Sequence, residues 1–257
     1  MTLLPSFDLK GEAALVTGAS SGIGRHLSLL LAAAGARVAL CARRTERLED
    51  LAREIAAEGG KALPIACDVT KEDSIAAAVA AAEEGVGPLS ILLNNAGVAV
   101  TRSFLRHSKA DWDFVLDTNL KGAALMARQF AETLVAKGRG GRIINLGSIA
   151  ASRTLLGLSS YSASKAGLVH LTHALAMELA RYKILVNAIA PAYVETDMNR
   201  EFLESEAGEK LISRIPLRRV AQAQDLDGAI LLLASPAGAY ITGAVIAIDG
   251  GHAVAPI

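Results

Sequence analysis

Apolar side chains recur along this chain in two rhythms. Short apolar blocks at 13–17, 37–41, 62–66, 89–93, 142–147, 184–190 and 244–248 have the length of strands, and the stretches between them carry apolar residues at helical spacing. After the first block, Ile23, Leu27, Leu30, Leu31 and Ala34 fall on one face of a helix expected over 22–34, and Gly35 stands where a helix C-terminus favours glycine. Such alternation predicts an α/β fold in which a parallel sheet is covered by helices on both faces. The uncharged stretch 228–248 is long enough to cross a bilayer, but Pro236 and the Thr242-Gly243 pair divide it into a helix end and a strand, so no membrane partner is expected.

Composition narrows the picture. The 257 residues are 52% hydrophobic and contain no linker, repeat or low-complexity tract, which predicts one domain over 1–257. Lys plus Arg and Asp plus Glu balance at 26 each, so nothing draws the chain toward nucleic acid, and a small-molecule partner is expected. Cys41 and Cys67 form no metal-ligand pattern, and the first residues lack the features of a secretion signal; both readings predict a cytoplasmic protein without a metal.

Three motifs carry candidate chemistry. Thr17-Gly18-Ala19-Ser20-Ser21-Gly22-Ile23-Gly24 puts three glycines between the first strand and its helix, where backbone can approach a phosphate at a helix N-terminus. Asn94-Asn95-Ala96-Gly97 ends the fourth strand, which in a doubly wound sheet neighbours the first at the ligand-binding crevice. In Tyr161-Ser162-Ala163-Ser164-Lys165, a phenol and an ammonium four residues apart share a helix face, and a phenol needs a nearby cation to favour its ionised form.

Together with Ser148, these motifs in this order resemble the short-chain dehydrogenase/reductase family over nearly the whole chain. The resemblance implies a single-domain, Rossmann-type, doubly wound, mostly parallel sheet of seven strands, and an oxidoreductase that moves a hydride between NADP(H) or NAD(H) and a ketone or secondary alcohol. It implies Tyr161 as general acid/base, Lys165 as the cation that lowers its pKa and holds the nicotinamide ribose, Ser148 as donor to the carbonyl oxygen, and Asn119 as holder of a water leading to Lys165. Cofactor contacts are expected from Gly18, Ser20, Ser21, Gly22, Ile23, Gly24, Asp68, Val69, Asn95, Ala96, Gly97, Pro191, Val194 and Thr196 as well as Tyr161 and Lys165. Substrates of relatives range from 3-oxoacyl thioesters to sugars, polyols and small ketones; a non-catalytic dinucleotide sensor is the rival reading.

Ala42 stands where NAD-specific relatives carry Asp, and Arg43 offers a guanidinium to a 2′-phosphate, which predicts NADP(H) preference; Arg44 serves equally well as a solvated charge opening the next helix. Ala192 replaces the glycine that usually follows Pro191, which predicts strain if that position has φ > 0. Residues 193–216 have weak periodicity and are expected to form a substrate lid. The helix beginning near Tyr161 is apolar nearly all round, which predicts a homo-oligomer, a dimer or tetramer; His170 and His173 read as helix-face residues and Trp112 as packing for the helix over 111–136.

Overall fold

The structure, a computed structural model, describes residues 6–196 and 200–255. Its strands and helices alternate: β1 (Ala13–Thr17), α1 (Gly22–Ala33), β2 (Arg37–Ala42), α2 (Thr45–Ala57), β3 (Lys61–Ala66), α3 (Glu72–Gly85), β4 (Ile91–Asn94), α4 (Lys109–Leu116), α5 (Ala123–Ala136), β5 (Gly141–Leu146), α6 (Ser159–Leu179) and β6 (Ile184–Pro191). The short α7 (Arg200–Leu203) and α8 (Glu206–Ile212), then α9 (Asp227–Ala234), lead to β7 (Val245–Ile248). The sheet order is β3-β2-β1-β4-β5-β6-β7, and every pair is parallel. Strand ends differ from the apolar blocks by one or two residues, as expected where strands run into loops.

Burial on both faces explains why the strands are continuously apolar. In β1 and β2, Ala14, Val16, Val38 and Leu40 face α1, α2 and α9, meeting Leu27, Leu31, Leu48, Leu51, Ile230 and Leu233. The intervening Ala13, Leu15, Ala39 and Cys41 face the other layer, with Ile75, Val79, Met126, Phe130 and Leu134 of α3 and α5. No helix of the described residues is long and apolar enough to cross a membrane.

Because β1 and β4 are neighbours from which the chain winds in opposite directions, their C-terminal ends open a crevice. The helix expected over 111–136 begins at a capping box, in which Ser108 Oγ accepts from Asp111 N at 3.1 Å and Asp111 Oδ2 accepts from Ser108 N at 2.9 Å. It does not run as a regular α-helix: Asp117–Gly122 forms a π turn, with Asn119 buried inside it. Trp112 packs near its start with its ring centroid 6.2 Å from that of His107.

Candidate active site

The glycine turn is built for close approach. Gly18 and Gly22 have φ of +68° and +53°, which β-carbon-bearing residues rarely adopt. At Gly24, a Cβ would lie 2.3 Å from both the Gly18 carbonyl oxygen and Asn95 Nδ2, so only glycine lets α1 start this close to the loop. Ser21, the N-cap residue, makes no capping hydrogen bond from its side chain. The first-turn amides of α1 therefore face the crevice free of a side-chain cap, the arrangement that receives a phosphate.

Beside this turn, Arg44 Nη2 donates to Ser20 Oγ and Ser21 Oγ, both at 3.2 Å. Sequence reasoning placed the emphasis on Arg43 and left Arg44 open; Arg44 is the guanidinium held against the serines of the glycine turn. The carboxyl of Asp68 is held below its usual range first by the Thr70 hydroxyl, with a smaller contribution from the Arg43 charge. Asp68 Oδ1 accepts from Thr70 N at 3.1 Å and Thr70 Oγ1 at 2.7 Å, which fixes the turn carrying Val69.

Asn95 does structural work in this state. Its Nδ2 donates to the carbonyls of Thr17 at 2.9 Å and Gly18 at 3.2 Å, while Thr17 Oγ1 accepts from Asn95 N and Ala96 N at 3.0 Å each. These bonds tie β4 to the glycine turn across the crevice. Beneath them runs a buried polar chain that sequence reasoning missed, from Asn94 Nδ2 to Asn145 Oδ1 at 3.1 Å and from Asn145 Nδ2 to Thr172 Oγ1 at 2.9 Å.

Farther along the sheet edge, α6 starts at Ser159, so Tyr161 lies in its first turn and Lys165 one turn below. Lys165 is buried; its Nζ donates to Leu146 O at 2.6 Å and lies 5.7 Å from the Tyr161 ring centroid. Burial lowers the Lys165 pKa to about 8. The expected lowering of the Tyr161 pKa is not found: burial raises it above the ordinary phenol value, the nearby Ser148 hydroxyl lowers it in part, and Tyr193 raises it further. A desolvated phenol is costly to ionise, so Tyr161 holds its proton at neutral pH.

Ser148 follows β5, and its Oγ accepts from Ala150 N at 3.1 Å, which leaves its own hydrogen to donate, in this state toward the Tyr161 phenol. Asn119 Oδ1 accepts from Val98 N and its Nδ2 donates to Val98 O, both at 2.8 Å, with a further bond to Ser164 Oγ at 3.0 Å. Its side chain is thus committed to protein partners, and any water it holds toward Lys165 must use the backbone of the π turn. A Cβ placed on Gly97 would lie 3.5 Å from Asn119 Oδ1 and 3.6 Å from Lys165 Nζ, so bare backbone borders the space above the lysine.

The loop after β6 closes the far side. Val194 is buried and bridges to Ala221, Glu195 N donates to Ala221 O at 2.8 Å, and Thr196 comes near Gly22, whose Cβ would lie 3.6 Å from Thr196 Cγ2. Ala192 carries no strain, because Lys183 and Arg218 are the only non-glycine residues with positive φ among those described. The turn is satisfied without the family's usual glycine. Tyr193, unassigned from sequence, acts electrostatically on Tyr161, and burial raises its own pKa.

A glycine turn at the N-terminus of α1, set at the crevice of a wholly parallel sheet with Ser148, Tyr161 and Lys165 beyond it, defines a Rossmann-type doubly wound protein. The sequence profile described as Enoyl-(Acyl carrier protein) reductase matches residues 18–253. Curated relatives include 3-oxoacyl-(acyl-carrier-protein) reductase of Thermotoga maritima, 39% identical over 95% of this chain and 98% of that protein. Galactitol 2-dehydrogenase (L-tagatose-forming) of Cereibacter sphaeroides is 41% identical over 96% of this chain and 97% of that protein. Among solved structures, a gluconate 5-dehydrogenase from Burkholderia cenocepacia in complex with NADP and tartrate superimposes with a TM-score of 0.92 at 34% identity, covering 97% of this chain and 98% of that one. The chain belongs to the short-chain dehydrogenase/reductase family.

Proposed function

We propose that this protein reduces a ketone to a secondary alcohol, and catalyses the reverse reaction, with NADP(H) as preferred cofactor and Tyr161 as the proton-transferring residue. The class of enzyme, a nicotinamide-dependent oxidoreductase acting on CH–OH groups, follows from the family. The observation that carries the residue assignment is the half-buried Tyr161 ring with Lys165 Nζ 5.7 Å from its centroid and the Ser148 hydroxyl acting on its phenol.

The residues present fit the cofactor. Free amides at α1, positive-φ glycines and the Arg44 guanidinium suit its phosphates, the Asp68–Val69 turn its adenine, and the space bordered by Gly97 and Lys165 its nicotinamide ribose. Val194 would hold the carboxamide, and Thr196, near Gly22 of the glycine turn, the phosphate side. Bound there, the cofactor supplies the hydride. Ser148 donates a hydrogen bond to the carbonyl oxygen as negative charge builds on it, and Tyr161 delivers its proton to that oxygen. The Lys165 ammonium offsets the phenolate that remains until the proton is replaced. Residues 193–216 we read as a lid over the substrate: α7, α8 and the following turn share a small apolar cluster of Leu203, Ile215 and Val220 distinct from the main core, while 197–199 lie outside the described residues.

Relatives named for 3-oxoacyl thioesters, galactitol and gluconate leave several carbonyl classes to test, the acyl thioester and the sugar or polyol foremost. NADPH oxidation measured across ketoacids, ketoses, small ketones and 3-oxoacyl thioesters decides among them. A dinucleotide sensor would show NADPH binding with no oxidation by any of them, and would overturn the proposal.

For cofactor choice, Ala42 supplies no carboxylate to repel a 2′-phosphate, and Arg44 is anchored beside it. One charge-assisted contact is worth roughly 1.5 to 3 kcal/mol, or about ten- to hundred-fold in affinity. Arg44→Gln is expected to cut the NADPH-over-NADH ratio of kcat/KM by at least about ten-fold, with NADH kinetics nearly unchanged. An unaltered ratio would remove Arg44 from the 2′-phosphate site.

We also propose a homo-oligomer, a dimer or tetramer, joined through α6. Ala163, Ala166, His170, His173 and Met177 form an exposed stripe on that helix, and Met177 is 83% exposed. The two histidines have ring centroids 6.2 Å apart, and no metal-binding group of three or more His, Cys, Asp or Glu occurs among the described residues. Met177→Glu is expected to shift the sedimentation profile toward monomer; a wild type that sediments as a monomer at micromolar concentration would refute the proposal. The free, buried Cys41 and Cys67 suit a cytoplasmic location.

A further inference from the structure

We propose that the substrate carries a carboxylate and that Arg153 is the residue that recognises it. The inference rests on the reading of Ser148 and Tyr161 as the reacting centre and adds the substrate's chemical class. Arg153 lies five residues beyond Ser148, on the loop that leaves β5, and is half-buried. It has no ion-pair partner among the described residues; Nη1 instead donates to the carbonyls of His252 and, at 3.3 Å, Ala255. A partly buried guanidinium ordinarily sits beside a carboxylate, and here the position of the counter-ion is left to a ligand.

The surroundings make this cation part of the substrate wall. The C-terminal turn held by Arg153 places buried His252 against Tyr193, with ring centroids 6.1 Å apart, and Tyr193 in turn acts electrostatically on Tyr161. His252 Nδ1 is buried without a hydrogen-bond partner. Burial and the neighbouring Arg153 and Arg214 charges lower the His252 pKa, so the imidazole is neutral at pH 7 and adds no charge of its own. Arg214, exposed on the facing loop, also has no ion pair among the described residues. The one carboxylate acting here, Asp249, is engaged by backbone: its oxygens accept from Gly251 N at 2.9 Å and Ala253 N at 2.7 Å. Two guanidinium charges therefore act on this turn against one already occupied carboxylate, a field that favours an anion over a neutral polyol.

The pairing of Arg with carboxylate predicts discrimination that does not depend on turnover. Calorimetry of the NADPH-loaded enzyme with D-gluconate and with D-glucitol, alcohols that cannot accept hydride, compares two ligands of one length that differ in the carboxylate. Gluconate is expected to bind at least about ten-fold more tightly. Arg153→Gln should abolish that difference while leaving glucitol and NADPH binding unchanged, and Arg153→Lys should restore part of it. Equal binding of the two, no binding of either, or a preference that survives Arg153→Gln would overturn the inference. Loss of glucitol or NADPH binding in Arg153→Gln, with no selective effect on gluconate in Arg153→Lys, would assign Arg153 to tethering of the C-terminal turn alone and would likewise overturn it. The hydride-transfer reading fails on a different result, full turnover by Tyr161→Phe.

Discussion

Tyr161→Phe is expected to lose about 10²- to 10⁴-fold in turnover while binding NADPH as the wild type does. The ring keeps its place in the first turn of α6 and its packing against Lys165, so the substitution removes one oxygen and one proton. The direction of the pKa shift makes the loss severe for reduction in particular: burial keeps the phenol protonated at neutral pH, and that proton is the one the carbonyl oxygen receives. Fluorescence titration of NADPH together with steady-state rates checks both halves. Activity within a few-fold of wild type would mean that the proton comes from elsewhere.

The second large effect is expected at Lys165. Lys165→Met should lower turnover by on the order of a hundred-fold and weaken NADPH binding, because one side chain both offsets the phenolate and reaches the ribose space beside Gly97. Stability moves in the opposite sense. A lysine whose folded pKa is lowered from 10.5 to about 8 is held as a buried ammonium at a cost below pH 8. Between pH 8 and 10.5 the unfolded chain still binds the proton and the folded one does not, so the wild type gains stability as pH rises through that window. The cofactor-free wild type is therefore expected to gain on the order of 3 kcal/mol relative to Lys165→Met from pH 7.5 to 10.5, read by denaturant unfolding of both proteins. A constant difference across that range would show that Lys165 is not buried as an ammonium in solution.

The strands could be read from sequence because a sheet buried on both faces forces unbroken apolar runs, as in 13–17 and 184–190, and the glycine turn because its backbone admits no Cβ. What escaped was set by contacts distant in sequence. The π turn at Asp117–Gly122 has no local marker; Asn119 bonds to both backbone groups of Val98, 21 residues away. The chain from Asn94 through Asn145 to Thr172 joins two strands and a helix, and single asparagines in apolar runs do not reveal their partners. Arg43 and Arg44 are adjacent in sequence, and only the turn that begins α2 decides which one meets Ser20 and Ser21. The desolvation that raises the Tyr161 pKa likewise depends on depth, which the four-residue spacing does not contain.

The most direct test of hydride transfer with Tyr161 as proton donor follows deuterium. With NADPH deuterated at the transferring position and a carbonyl compound that the enzyme reduces, wild type is predicted to place deuterium on the carbinol carbon in one-to-one ratio with NADP formed, and Tyr161→Phe, with NADPH bound, to place almost none. Bound NADPH that delivers no deuterium to any carbonyl class in the wild type, or equal delivery by Tyr161→Phe, would contradict it.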